Sequence, residues 1–166
     1  MIRIIGQAAL KALERASQDL KAGKVAALVT APINKENIQS EQFKFTGHTE
    51  YLTHLFGSED KQTLMMMVSE MMRIALVCNH TPITKVPLMI TKERIVSKLK
   101  TLNATLIKDF LVTKPRIAVL ALNPHASDNG LIGDEEKNII VPAIEQANEQ
   151  GVLAFGPYSA DGFFGV

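Results

Sequence analysis

Three histidines stand where this chain is punctuated by turns. Histidine is the side chain best suited to act as acid, base or metal ligand near neutrality. His48 lies in Phe45-Thr46-Gly47-His48-Thr49-Glu50, and His80 closes the apolar run Ile74-Ala75-Leu76-Val77-Cys78-Asn79. His125 follows the run Arg116-Ile117-Ala118-Val119-Leu120-Ala121-Leu122 in the tripeptide Asn123-Pro124-His125. His80 and His125 therefore fall where a buried strand stops, the edge at which α/β proteins bind ligands. Neutral imidazole at such an edge suits a transition metal. The spacing alone proves no site, because a catalytic zinc usually has three protein ligands and only two candidates are present. A hydrogen-bonding loop or core histidine is the other reading of each.

Gly47-His48-Thr49 sets a permissive glycine and two polar side chains at the start of a helix, where backbone N–H groups favour phosphate. A plain helix cap, with Thr49 capping and His48 exposed, is the alternative. Lys35, after Pro32-Ile33-Asn34, is either a phosphate ligand or base, or a surface lysine. Asn129-Gly130-Leu131-Ile132-Gly133-Asp134 is glycine-rich but matches neither the dinucleotide fingerprint nor the P-loop, and reads as a turn with an N-cap. His54, one turn from Tyr51, reads as structural or surface.

The elements that must position these groups follow from periodicity. Ile4, Ile5, Ala8, Ala9, Ala12, Leu13, Ala16 and Leu20 recur at three and four. They predict an amphipathic helix with that stripe on the core, ended by Gly23. Val25 to Val29 predicts a strand covered on both faces, and Asn34 to Gln39 a short helix capped by Asn34. A helix from Gly47 to Phe56 stops at Gly57-Ser58. Leu64 to Val68 and Arg73 to Val77 predict an antiparallel hairpin, its methionines Met65, Met66, Met67, Met71 and Met72 serving as adaptable core filler. Pro82 and Pro87 mark a loop. Thr91 caps a helix to about Phe110 with Ile95, Leu99, Leu102, Leu106 and Phe110 on one side. The charges Lys92, Arg94, Lys98 and Lys100 on that helix read as a solvated face. Strands at 117–122 and 152–155 flank a helix from Asp134 to Gln150, whose first turn is acidic. Alternating helix and buried strand predicts an α/β fold: a mostly parallel, mixed sheet with helices on both faces.

Composition narrows the class. A chain of 166 residues is expected to form a single α/β domain over residues 1–166. Lys and Arg number 18 against 17 Asp and Glu, for a net charge of +1. That balance gives no electrostatic reason to expect nucleic acid or an anionic membrane as partner. The single cysteine, Cys78, excludes an internal disulfide and reads as inert core. No run approaches the ~20 apolar residues of a membrane span. The amphipathic N-terminus with Arg3, Lys11 and Arg15 has a presequence's charge pattern, but Glu14, Asp19 and scarce serine argue against one. A cytoplasmic protein is expected. The last residues, from Gly156 to Val166, read as a loop in mid-course, so the natural protein is expected to continue.

Taken in order, Val29-Thr30-Ala31-Pro32-Ile33-Asn34-Lys35, Gly47-His48-Thr49-Glu50, Asn79-His80 with Pro82, Asn123-Pro124-His125-Ala126, and Gly156-Pro157 with Ala160-Asp161 form a specific set. With it the chain resembles the middle of the 4-hydroxythreonine-4-phosphate dehydrogenase family of pyridoxal phosphate biosynthesis. The resemblance implies one domain of a fold like that of the isocitrate and isopropylmalate dehydrogenases, within a longer two-domain enzyme. It implies that His48 and Thr49 contact a small phosphorylated hydroxy amino acid. It implies that His80 and His125 hold a divalent metal: zinc, cobalt, magnesium or manganese. NAD or NADP is the implied oxidant, and a homodimer with the active site at its interface the implied assembly. The family's third metal histidine and later substrate contacts lie beyond Val166, so this chain alone is expected to be inactive. Two other readings stay open: a relative acting on another phosphorylated hydroxy acid, and a non-catalytic dimerisation and metal-binding fragment.

Overall fold

The computed structural model describes residues 2–41, 43–57 and 63–165. Met1, Val166 and Ser58, the last expected to help stop a helix, lie outside the described residues. The chain divides into two compact units, Met1–Lys61 and Gln62–Val166.

The first unit is built on α1 (Ile2–Lys21) and α2 (His48–Phe56). Gly23, at φ 70°, ends α1 by donating its N–H to the Leu20 carbonyl. The face α1 buries follows the expected stripe only in part, at Leu13 and, half-buried, at Ala9, Ala16 and Leu20. Gly6, Leu10, Leu13 and Ser17 are buried, while Ile4 and Ile5 stay 70% and 62% exposed. The reason is steric. A Cβ on Gly6 would lie 1.9 Å from the Asn37 carbonyl oxygen, so the helix meets the 35–38 turn at the residue without a side chain. That turn is a single one, not a helix, but Asn34 caps it as expected, its Oδ1 accepting from the N–H groups of Glu36 and Asn37. Leu10, Leu13, Ile38, Phe43 and Tyr51 form the core. Phe43, Phe45 and Tyr51 stack with centroids 5.4–5.5 Å apart. The strand expected at 25–29 does not form: no described strand pairs with it, and Val29 is 96% exposed.

Among the described residues the second unit holds four short strands in two two-stranded sheets. β1 (Met66–Val68) and β2 (Arg73–Ala75) make the expected antiparallel hairpin, Met66 opposite Ala75. Its methionines do not fill a core as expected: Met67, Met71 and Met72 are exposed, and the core is met instead by Val77 and Cys78 after β2. After a 3-10 turn (Ile83–Lys85) and α3 (Val86–Met89), which replace the expected loop because Pro87 favours a helix start, comes α4 (Lys92–Lys108). Thr91 Oγ1 caps α4 at the Arg94 N–H, 3.2 Å away. Arg94 and Lys98 are not the solvated face expected of them: each is half-buried and turned to the hairpin side, bonding the carbonyls of Val77 and Thr63.

β3 (Ile117–Leu120) and β4 (Ala154–Tyr158) are parallel, joined through α5 (Val141–Glu149). This βαβ unit gives the chain its α/β character. The core gathers Ile95, Leu99 and Leu106 of α4, Ile117 of β3, and Ala143, Ile144 and Ala147 of α5. The long helix expected from Asp134 opens instead with a π-helical turn, Glu136–Ile140. Pro142 accounts for it, since it has no N–H to donate and its ring would strike the carbonyl four residues back in a regular helix. The chain ends in the short α6 (Ala160–Phe163), after the cis Gly156–Pro157 bond.

Candidate functional site

Unit by unit, the expected site residues fall at turns. In the first unit, His48 and Thr49 occupy the opening positions of α2, and both are half-buried. Gly47 precedes them in extended conformation, and the helix start has no side-chain cap, which leaves the capping reading of Thr49 without support. A Cβ on Gly47 would approach Lys35 Cε at 3.8 Å and Glu50 Oε2 at 3.4 Å. The ammonium stem of Lys35 thus runs beside the N-terminus of α2. A helix N-terminus, a cation and two polar side chains suit an anionic ligand, with the Glu50 carboxylate beside them as the opposing charge. His54 stacks on Phe45 with centroids 5.2 Å apart, the structural role expected of it.

In the second unit, His80 and His125 are exposed and both lie in the left-handed region, at φ 49° and 52°. Arg94 Nε, 3.0 Å from the Val77 carbonyl, fixes the run that leads into Cys78-Asn79-His80, and Thr81 Oγ1 bonds the Asn79 carbonyl. Cys78 is half-buried against the core.

The His125 turn is stranger. His125, Ala126, Ser127, Asp128 and Asn129 all have positive φ, from 45° to 64°. A left-handed turn costs roughly 1–2 kcal/mol per L-residue, and survives only where the surroundings impose it. Upstream the imposition comes from Glu136, only 3% exposed. Its Oε1 accepts from the backbone N–H groups of Leu122 and Asn123, both at 2.8 Å. Its Oε2 accepts from Asn123 Nδ2 at 2.9 Å, which also reaches Glu135 Oε2 at 2.7 Å. Gly133 makes room for this knot: its φ is +99°, and a Cβ there would lie 2.6 Å from Asn123 Nδ2. Burial raises the Glu136 pKa, but the bonds from the Asn123 backbone and side chain, its own backbone and Leu122 outweigh that and hold it below the ordinary value. Downstream, Ser127 is buried and its carbonyl accepts from the Ile132 N–H at 3.0 Å. The imidazole is held as well, with Nδ1 2.8 Å from Asp161 Oδ2.

Glu136, Asp161 and Arg94 are supporting residues whose role sequence reasoning missed, although Asp161 stood in the Ala160-Asp161 motif and Arg94 among the charges of its helix. Among the described residues no three His, Cys, Asp or Glu side chains close into a metal-sized cluster. The donors fit a divalent ion in kind, as two imidazoles, one with its second nitrogen on a carboxylate; in number they fall short of a complete set.

A parallel βαβ unit with the His125 turn at the carboxyl end of β3 defines an α/β protein, in a fold class that places its ligands at that edge. The family model described as "Pyridoxal phosphate biosynthetic protein PdxA" matches residues 3–166, and the chain belongs to that family. It is 49% identical over 160 residues to a 4-hydroxythreonine-4-phosphate dehydrogenase of Bacteroides thetaiotaomicron, covering 96% of this chain and 44% of that one. It is 42% identical to the enzyme of the same name from a Sulfurihydrogenibium species, covering 49% of it. The crystal structure of a 4-hydroxythreonine-4-phosphate dehydrogenase from Klebsiella pneumoniae superimposes with a TM-score of 0.86 at 33% identity, over 96% of this chain and 47% of that one. The chain thus spans about half the length of the relatives it matches.

Proposed function

We propose that this chain is the substrate- and metal-binding, dimerising middle part of a longer two-domain enzyme, an NAD- or NADP-dependent dehydrogenase of pyridoxal phosphate biosynthesis. The substrate is 4-phosphooxy-L-threonine. When bound, the nicotinamide would supply the oxidant for the substrate's secondary alcohol carbon, taking the hydride while the hydroxyl proton is released. The β-keto acid so formed loses carbon dioxide, and protonation of the resulting enolate gives 3-amino-2-oxopropyl phosphate. The observation that carries this reading is the family match over residues 3–166, which encloses every candidate site residue.

His48 and Thr49 receive the substrate at the α2 N-terminus, where backbone donors favour its anionic groups. His80 and His125 are two of the ligands of a divalent ion: zinc, cobalt, magnesium or manganese. Such an ion supplies Lewis-acid polarisation of an alcohol or carbonyl oxygen. The strained His125 turn supports this role, since Glu136 anchors the backbone that leads into it and Asp161 faces the ring. The exposed Met67, Val68 and Met71 of the hairpin support burial against further polypeptide, here a second copy. Among the described residues no helix is long and apolar enough to cross a membrane, and we place the enzyme in the cytoplasm. The test is to offer the complete gene product 4-phosphooxy-L-threonine and a phosphorylated four-carbon sugar acid, each with NAD and NADP. Faster turnover of the threonine derivative is expected. Preference for the sugar acid would assign a different substrate to the same site, and turnover of neither would overturn the dehydrogenase reading.

A further inference from the structure

Asp161 does more than pair with a histidine. It stands 36 residues after His125, on the short α6, and its Oδ2 lies 2.8 Å from His125 Nδ1. Its other oxygen takes the hydroxyl of Ser159. One carboxylate therefore faces a particular nitrogen of the His125 ring.

The chemistry of the pair fixes a proton. An ionised carboxylate only accepts hydrogen bonds, so the nitrogen facing it carries the hydrogen. A neutral imidazole has a single N–H. With that N–H at Nδ1, the lone pair is at Nε2, and the His125 side chain is 70% exposed, so a ligand can reach it. Free imidazole side chains carry no such commitment. The left-handed backbone at 125–129 removes the other freedom, that of swinging the ring by relaxing the turn.

We infer that Asp161 is a positioning residue, which holds His125 as the Nδ1–H tautomer and so makes Nε2 the donor atom offered to a Lewis acid such as a divalent metal ion. The metal arm of this inference rests on the function proposed above; the tautomer arm does not.

The experiment uses the 166-residue chain without metal, labelled with 15N, at a pH about two units above the ordinary imidazole value of ~6.5. Long-range proton–nitrogen correlations separate the two neutral tautomers, and His125→Gln identifies the His125 signals. In the wild type, the Nδ1 of His125 is expected at the protonated position and Nε2 at the bare one. Asp161→Ala should release the ring toward Nε2–H, with Asp161→Asn between the two. Backbone amide spectra confirm that the variants remain folded. A competition titration with zinc should then show a ~10–100-fold loss of affinity in Asp161→Ala, the usual cost of removing such a support. Finding His125 as Nε2–H in the wild type, or unchanged in Asp161→Ala, would overturn the inference. No zinc binding by the wild type, with the tautomer shift observed, would count against the metal reading of the proposed function and leave Asp161 as the residue that sets the tautomer.

Discussion

The Glu136 knot sets the geometry of the His125 turn, and its removal has a size that can be worked out. Glu136→Ala deletes acceptors for two backbone N–H groups and one side-chain amide. A buried donor left without a partner costs roughly 1–3 kcal/mol. Leu122 and Asn123 are half-buried, so water can reach part of the gap. Asn123 Nδ2 also keeps Glu135. The net cost is then about 2–4 kcal/mol, or a roughly 30- to 700-fold shift in the opening equilibrium at tenfold per 1.4 kcal/mol. Hydrogen exchange at the amides of Leu122 and Asn123 should quicken by that factor. The amide of Ile117, bonded to the Leu153 carbonyl at the far end of β3, serves as the internal reference.

The same group sets an acid limit. Its folded pKa lies below the ordinary 4.5, so its stabilisation is complete above that value and is lost as pH falls through the folded pKa. Glu136→Gln should lose this pH dependence while keeping part of the protection, since its amide oxygen still accepts from both backbone groups. Exchange at Leu122 and Asn123 unaltered in Glu136→Ala would refute the reasoning.

Two further outcomes are expected. Gly6→Ala should destabilise the first unit by about 1–3 kcal/mol, because the new Cβ would collide with the Asn37 carbonyl, and overpacking costs on that order; a thermal midpoint equal to wild type, read by near-ultraviolet dichroism at Tyr51, would show that α1 shifts freely. His48→Ala in the complete gene product should lower kcat/KM for the phosphorylated substrate and leave metal content unchanged. Loss of metal in that variant, by elemental analysis, would mean the residue had been given the wrong role.

Much of this was legible in the sequence where a local signal decided the outcome. Thr91 before an apolar-periodic run marked the start of α4, Gly23 the end of α1, and the paired β-prone runs the hairpin. Where contacts between distant segments decided, it was not. The buried face of α1 runs through Gly6 and Ser17 because Asn37 arrives there, which no hydrophobic count detects. The run 25–29 has strand composition but no strand beside it. At the site, the histidine turns were visible from their position after apolar runs, whereas their supports were hidden. Glu136 read as a helix-dipole residue, although its place on the stripe continued by Ile140, Ile144 and Ala147 was a sign of burial. Asp161 stood in the motif set with Ala160 but without a role, since its partner lies 36 residues away and only the parallel pairing of β3 and β4 brings the two together. Arg94 likewise looked like one of four solvated charges.

The account turns on whether His80 and His125 act with the nicotinamide in one oxidative decarboxylation. The direct measurement takes the complete gene product with zinc, NAD and 4-phosphooxy-L-threonine, and counts NADH and carbon dioxide together in the wild type, His80→Gln and His125→Gln. One carbon dioxide for each NADH in the wild type, with both products and bound zinc falling at least tenfold in either variant, is expected. NADH formed at the wild-type rate in both variants would contradict it.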